Sequence, residues 1–282
     1  VSAVERCAPA SEASAIAGVD LARHADRPRS LDVVNRSFQH WTELHGDRLF
    51  GDDRAIVGGP AMLDGEWVMV IAQEKGCDAV TRAERNFGMS HPEGYRKAQR
   101  LLGLAGKFSM PVICFVDTPA AHAGVAAEER GQAWAVAASL LVMLRARVPI
   151  ISVVLSEGGS GGALALALGD VVLALENAMY TVAPPETCAA ILYRDTAQRG
   201  RAAAALRPGV ATALEVGLVD EIVPEPAPGA HAHRETVMAA LAGAIRRHLR
   251  VLRQTDPDEL RERRMRRYRA AGDVLRLHEL TA

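Results

Sequence analysis

The residues best suited to chemistry lie in one run: Glu157-Gly158-Gly159-Ser160-Gly161-Gly162, after the β-branched stretch Pro149 to Leu155 and before Ala163-Leu164-Ala165-Leu166. Side chains almost vanish there, at what reads as a turn from a buried strand into an Ala/Leu helix. Glycines at such a turn allow close approach to the backbone. The first N–H groups of a helix lack partners within it, and its dipole favours negative charge at that end. The amides of Gly161 and Gly162 are therefore suited to an oxygen that carries or develops negative charge. The same glycines would also serve tight helix–sheet packing with nothing bound, and the stretch alone leaves both readings open. Other groups of interest are the carboxylates Glu157 and Glu186, the loop imidazole of His122, and Glu128-Glu129-Arg130, which suits a cap and salt bridges at a helix start.

The elements that must position these groups alternate between strand and helix, which argues for parallel α/β architecture. Ser30 caps a predicted helix from Leu31 to about Leu44. The segments 54–59 and 66–72 read as strands around an Asp64-Gly65 hairpin turn. A charged span runs from Gln73 to Arg85. Pro92-Glu93 opens a helix, Pro111 to Val116 is a strand, and Ala120 to Ala127 is a small-residue loop before a long helix from Glu128 to Arg147. Strands follow near 171–175 and 179–182, then helices near 188–193 and 211–216 and a strand at 221–223. A helix spans 236–252, and a last, arginine-rich helix starts at the Asp256-Pro257-Asp258-Glu259 cap.

The chain has 282 residues, a net charge of −1, and 49% hydrophobic residues with only 4% aromatics, so Ala, Val and Leu must fill the core. Near-neutral charge gives no general attraction to nucleic acid or anionic membrane. Cys7, Cys77, Cys114 and Cys188 are scattered, without metal-ligand spacing, which predicts a reduced cytoplasmic protein and no metal on this chain. The first 20 residues make a poor signal peptide, and no uncharged apolar run reaches the ~20 residues of a membrane span.

From about Leu21 to Gly272 the sequence resembles the α subunit of bacterial acetyl-CoA carboxylase carboxyltransferase. The resemblance rests on Ala22-Arg23-His24, Gly46-Asp47-Arg48, Ala55 to Gly59, Asn86-Phe87-Gly88-Met89, Pro92 to Ala98, Asp117-Thr118-Pro119, Ala127 to Gln132, Glu157 to Ala165 and Pro224-Glu225-Pro226. It implies a crotonase-like fold, a spiral of ββα units, with an extension at 1–27, a carboxyltransferase domain at 28–252 and a basic helix and tail at 253–282. It implies transfer of CO2 from carboxybiotin, held on a biotin carboxyl carrier protein, to the α-carbon of acetyl-CoA or a related acyl-CoA, forming malonyl-CoA for fatty acid biosynthesis. A β subunit would bind the acyl-CoA, in a heterotetramer. Gly161 and Gly162 would aim their amides at the biotin ureido oxygen. Ala120, Ala121, His122, Gly124, Gly158 and Gly159 would line the substrate site, and Arg96 and Lys97 are candidates for CoA contact. Neither membrane nor specific nucleic acid is an expected partner.

The loop departs from the family pattern. Ala120, His122, Ala123 and Ala126 stand where Gly, Tyr, Pro and Gly are usual, and Pro184 and Thr187 replace Ser and Gly. Alanine at a position needing positive φ costs strain, and added methyls narrow a pocket. Three readings follow: an ordinary carboxyltransferase subunit, a specialised paralogue with another acyl substrate or a decarboxylation, or a non-catalytic scaffold for the β subunit. A stand-alone crotonase-type hydratase or hydrolase would need Glu157 and Glu186 free over a thioester.

Overall fold

The computed structural model describes residues 11–271. Cys7 and the tail from residue 272 lie outside them. The chain begins with α1 (Glu12–Ala22), capped by the Ser11 side chain, and α2 (Ser30–Ser37). Strands β1 (Ile56–Leu63) and β2 (Glu66–Gln73) form an antiparallel hairpin with Leu63 opposite Glu66. Its two turn residues, Asp64 and Gly65, both take positive φ (52° and 83°), the arrangement whose twist matches two paired strands. Then come α3 (Ala79–Glu84), a 3-10 turn (Asn86–Gly88), α4 (Pro92–Lys107) and β3 (Val112–Thr118). Two helices, α5 (Val125–Glu129) and α6 (Gln132–Arg145), lead to β4 (Ile150–Gly159) and the single turn α7 (Ser160–Leu164). The remainder is β5 (Val171–Leu175), β6 (Met179–Thr181), α8 (Pro185–Tyr193), α9 (Arg199–Leu206), α10 (Val210–Glu215), β7 (Glu221–Val223), α11 (Arg234–Leu252) and α12 (Pro257–Ala270).

The strands make one sheet in the order β1-β2-β3-β4-β5-β7, parallel from β2 onward, with β6 joined to β4. This is the mixed α/β sheet flanked by helices that the resemblance implies. The central strands read as continuous apolar runs because helices cover both faces. All ten residues of β4 are buried. β4 also bends. Its register with β3 runs evenly to Val116–Val154 and then jumps to Thr118–Gly158. Past the bulge, Glu157, Gly158 and Gly159 leave β5 and pair with Met179, Tyr180 and Thr181 of β6. The bulge re-aims the strand end, and the glycine turn sits there.

Four sequence expectations need correction. The helix predicted for 31–44 stops at Ser37, because the backbone of Gln39, Thr42 and Leu44 donates to Met62, Pro60 and Gly58 and covers the edge of β1. Gly59 permits this: a Cβ there would sit 1.9 Å from the Thr42 carbonyl oxygen. The long helix 128–147 is two helices, α5 and α6, broken at Gly131 with φ 80°. The charged span 73–85 holds α3, capped by Asp78. The Ala/Leu helix after the glycine turn is only five residues long. The last of these weakens the dipole argument for an anion site, leaving the individual N–H groups to carry it.

Candidate active site

At the glycine turn Ser160 takes φ 53°, a left-handed value unusual for a side-chain-bearing residue. It is exposed, Gly161 is half-buried and Gly162 is buried. Neither the Gly161 nor the Gly162 N–H donates to an acceptor outside α7 among the described residues. Two backbone donors are thus left over; Gly161, but not Gly162 or the loop at 120–124, lines a pocket of 310 Å³ together with Ser160, Leu164, Tyr180, Thr181, Val182 and Leu218. Gly162 is gripped from two sides. Its carbonyl accepts from the Gln73 Nε2 at 2.7 Å, while the Gln73 Oε1 accepts from the Asp117 N–H at 3.1 Å. Gln73 is fully buried, so the side chain is a strut from β3 to the turn. On the other side, a Cβ on Gly162 would lie 2.4 Å from the Ala121 nitrogen and 2.6 Å from the Ala120 carbonyl carbon. Gly158 and Gly159 have packing roles instead of the expected ligand-lining one. Both are buried in β4, and added Cβ atoms would meet Tyr180 at 2.8 Å and the Pro119 carbonyl oxygen at 1.8 Å.

The loop that presses on Gly162 is unstrained. None of Ala120, Ala121, Ala123 or Ala126 has positive φ, and Ala126 lies inside α5, where alanine is a better helix former than glycine. His122 is held on every side. Its N–H donates to Ser90 O at 3.0 Å, and its carbonyl accepts from Gln132 Nε2 at 2.9 Å. Its Nδ1 lies 2.9 Å from Asn86 Nδ2, and its ring packs against His91 with centroids 4.3 Å apart. Burial, and the neighbouring His91 and Arg130, push its pKa down, with Asp53 opposing. Gly124, in extended backbone, leaves room for the imidazole: a Cβ there would be 2.9 Å from Nε2.

Behind the turn runs a chain of ion pairs. Lys75 Nζ bridges Asp117 Oδ1 at 2.8 Å and Glu157 Oε2 at 2.5 Å. Arg23 joins Glu157 Oε1 at 2.6 Å to Glu186 Oε1 at 2.9 Å. Burial opposes charge on Lys75, but Asp117 and Glu157 outweigh it and raise its pKa. Glu157 is likewise pushed up by burial and pulled down further by Lys75 and Arg23, so it is ionised and committed. Glu186 is held low mainly by Arg23 against its burial. Neither carboxylate is free to exchange protons with a thioester substrate, which removes the structural basis for a hydratase-type site.

Several candidate cations have other duties. Lys97 is fully buried and its Nζ donates to Asp52 Oδ1 (2.6 Å) and Asp53 O (2.8 Å), so it is not placed to meet CoA. Arg96 spends its guanidinium on Asp47, Glu93 and the Arg130 carbonyl. Glu128 and Glu129 end α5 instead of opening a helix, and Arg130 pairs with Glu93 and lies over the Phe50 ring. The arginine face of α12 is partly a clamp. Arg264 is buried, pairs with Asp170 at 2.6 Å, and donates to the carbonyls of Met143, Ala146 and Val148. Arg267 ties Asp220 to the carbonyls of Asp170, Gly217 and Leu218. Gln73, Asn86, Lys75 and Arg23 were not singled out as site residues from sequence. The site partners named above lie 36 to 163 positions away, and no local pattern announces them. The three described cysteines are unpaired, no group of metal ligands occurs among the described residues, and no described helix is long and apolar enough to cross a membrane.

The comparisons with known proteins give the family and the fold. The family model described as acetyl co-enzyme A carboxylase carboxyltransferase-like matches residues 9–272. The acetyl-coenzyme A carboxylase carboxyl transferase subunit alpha of Thermus thermophilus is 52% identical over 254 residues, 90% of this chain and 80% of that protein. Its counterpart from Geobacter metallireducens is 53% identical over 251 residues, 89% of this chain and 79% of its own. Among solved structures, a Pseudomonas malonate decarboxylase hetero-tetramer in complex with coenzyme A superposes with TM-score 0.62 at 20% identity, over 83% of this chain and 93% of that one. The transcarboxylase 12S core also gives TM-score 0.62, at 22% identity, over 82% of this chain. This chain spans 43% of the transcarboxylase chain. At these identities the two structures speak for the fold.

Proposed function

The chain belongs to the acetyl co-enzyme A carboxylase carboxyltransferase family, and on that premise we propose that it works as the α subunit of a biotin-dependent carboxyltransferase. Its partners in this reading are a β subunit that holds acetyl-CoA or a related acyl-CoA, and a biotin carboxyl carrier protein. Bound biotin supplies the carboxyl group that is moved to the acyl α-carbon. The residues present fit such a group: two adjacent backbone N–H donors have no acceptor outside their helical turn among the described residues, and the first of them, at Gly161, lines a 310 Å³ pocket of mostly apolar walls.

This chain's part is to hold an oxygen while it gains negative charge. The Gly161 and Gly162 N–H groups donate to that oxygen, and no side-chain acid is required of them. Gln73 and the loop at Ala120–Ala121 fix the turn that presents them, so the donors are arranged before reaction and need no reorganisation. Removing one such donor typically lowers turnover by ~10²–10³-fold. The loop alanines sit at unstrained φ, which takes away the motive for reading the chain as a scaffold. A cytoplasmic location belongs to the same proposal and draws on the three unpaired cysteines.

The observation that carries the reading is the unpaired glycine amide pair at the bend of β4. Its test is co-expression with the β subunit, followed by transfer of labelled carboxylate from the carboxylated carrier to acetyl-CoA. Transfer by the complex and by neither subunit alone is the expected result. An assembled complex that moves no label to any short acyl-CoA would sink it.

A further inference from the structure

We propose that Arg27 is a positioning residue for the transfer reaction: its buried guanidinium, reaching in from outside the sheet, sets the bend of β4 and through it the aim of the Gly161 and Gly162 amides. The inference deepens the carboxyltransferase reading and rests on it.

β4 stands at a fork in the sheet. Its residues 151–154 pair with β5, whereas 157–159 pair with β6. Against β3 the register passes from Val116–Val154 to Thr118–Gly158, so Asp117 alone stands opposite Leu155, Ser156 and Glu157. Backbone groups in such a bulge fall out of the ladder and need other partners. Side chains supply them here. The Glu157 N–H donates to Asp117 Oδ1 at 3.2 Å. The Leu155 carbonyl accepts from Arg27 Nη2 at 2.9 Å, and Ser156 Oγ accepts from Arg27 Nε at 3.3 Å.

Arg27 lies in the connection from α1 to α2 and is 2% exposed. The other edge of its guanidinium meets Glu225 in two bonds, Nη1 to Oε2 at 2.9 Å and Nη2 to Oε1 at 2.6 Å. Burial pushes the Glu225 carboxyl up, but Arg27 and Asn177 bring it below its ordinary value, so the pair is ionic. Glu225 also accepts from the Asn177 N–H at 3.0 Å and from Asn177 Nδ2 at 2.9 Å. Asn177 belongs to the connection from β5 to β6. One buried ion pair thus grips both sides of the fork: the point where β4 leaves β5, and the turn that delivers β6 to it. The planar guanidinium serves a carboxylate, a carbonyl and a hydroxyl at fixed angles, a pattern that an ammonium cannot reproduce. From Ser156 the backbone runs four residues to Ser160, held at φ 53°, and then reaches the two donors. Gln73 and the loop at 120–121 grip Gly162 itself, while Arg27 fixes where the strand that carries it departs from the sheet. A misplacement of about 1 Å in a reacting group costs ~10²-fold in rate.

The test separates aim from stability. Arg27→Met leaves Glu225 buried without a counter-charge, so Tm should fall by roughly 6–20 °C. Arg27→Lys keeps the charge, and its loss of Tm should be less than half of that. An ammonium is a point donor on a shorter stem, so it cannot meet Glu225 in two bonds and hold Leu155 and Ser156 as well. In complexes assayed where both chains are folded, kcat should therefore fall ~10²-fold in each variant, with the KM for acetyl-CoA unchanged. Losses of kcat that track the losses of Tm, or full kcat in Arg27→Lys, overturn the role. The isolated chain gives a readout without catalysis. In 1H–15N spectra of glycine-labelled protein, Arg27→Lys should shift the Gly161 and Gly162 peaks and leave that of Gly65, in the β1–β2 turn, in place. Unmoved Gly161 and Gly162 peaks overturn the proposal whatever the activity shows. Absence of transfer by the wild-type complex would instead strike the carboxyltransferase reading, and the spectra would still decide whether Arg27 sets the amides.

Discussion

Adding one methyl at each of the two adjacent glycines should have opposite consequences. At Gly161 a Cβ would meet only the Val136 Cγ1, at 3.5 Å, an ordinary contact. Gly161→Ala also removes freedom from the unfolded chain at a position without positive φ. Such a change stabilises by about 0.4–1 kcal/mol. At Gly162 the new Cβ would lie 2.4 Å from Ala121 N and 2.6 Å from Ala120 C, both backbone. Comfortable separations begin near ~3.5 Å, so loop or turn must yield by about 1 Å. Overpacking of that kind costs about 1–3 kcal/mol. For a chain of this size each kcal/mol moves Tm by roughly 2–4 °C, so Gly162→Ala should melt roughly 2–12 °C below wild type. A donor displaced by about 1 Å should also lower turnover by ~10²-fold. Thermal melts of both single variants, and carboxyl transfer by their complexes with the β subunit, read the two effects. Unchanged Tm and unchanged turnover in Gly162→Ala would refute the idea that the loop is seated on this glycine and holds its peptide.

Three other perturbations follow from the same contacts. Gln73→Leu should strand the Gly162 carbonyl and the Asp117 N–H, costing about 1–3 kcal/mol for each group left unpaired, and turnover should fall with it; chemical denaturation and the transfer assay check both. Arg264→Met keeps the bulk but leaves Asp170 buried without its cation and three carbonyls without a donor. A loss of about 3–5 kcal/mol is expected in urea unfolding. Asp47 is pushed up by burial, but the N–H groups of Phe50, Leu49 and Gly51 and the Arg96 side chain bring it down to about 2. A carboxylate lowered on folding contributes stability that is present above its unfolded pKa of about 3.9 and lost as pH falls through about 2. Asp47→Asn should therefore be less stable than wild type near neutrality, and the gap should close between about pH 4 and pH 2, measured by urea midpoints. A gap independent of pH would count against the assignment.

The parts of this protein set by short-range chemistry were legible from residue order alone. The Asp64-Gly65 turn, the Asp256-Pro257 cap, the apolar run of β4 and the glycine turn after it all depend on neighbours within a few positions. So did the family, whose landmarks are local strings. The structure decided what depends on distant partners. The carbonyl of Thr42 approaching Gly59, and the edge pairing beside it, ended a helix that periodicity alone would have continued to Leu44. Lys97 reads from sequence as a candidate for CoA contact and Arg264 as part of a solvated basic face, yet acceptors from other elements consume both. Gln73 carries no sequence signature, and its position between Asp117 and Gly162 exists only once β3 and α7 are stacked. The loop alanines could have meant strain or ease, and only backbone dihedral angles, set by the packing of the loop on Gly162, chose ease. Turns, caps and burial patterns are nearest-neighbour properties of the chain, whereas pairing of charges and satisfaction of buried polar atoms are properties of the packed fold.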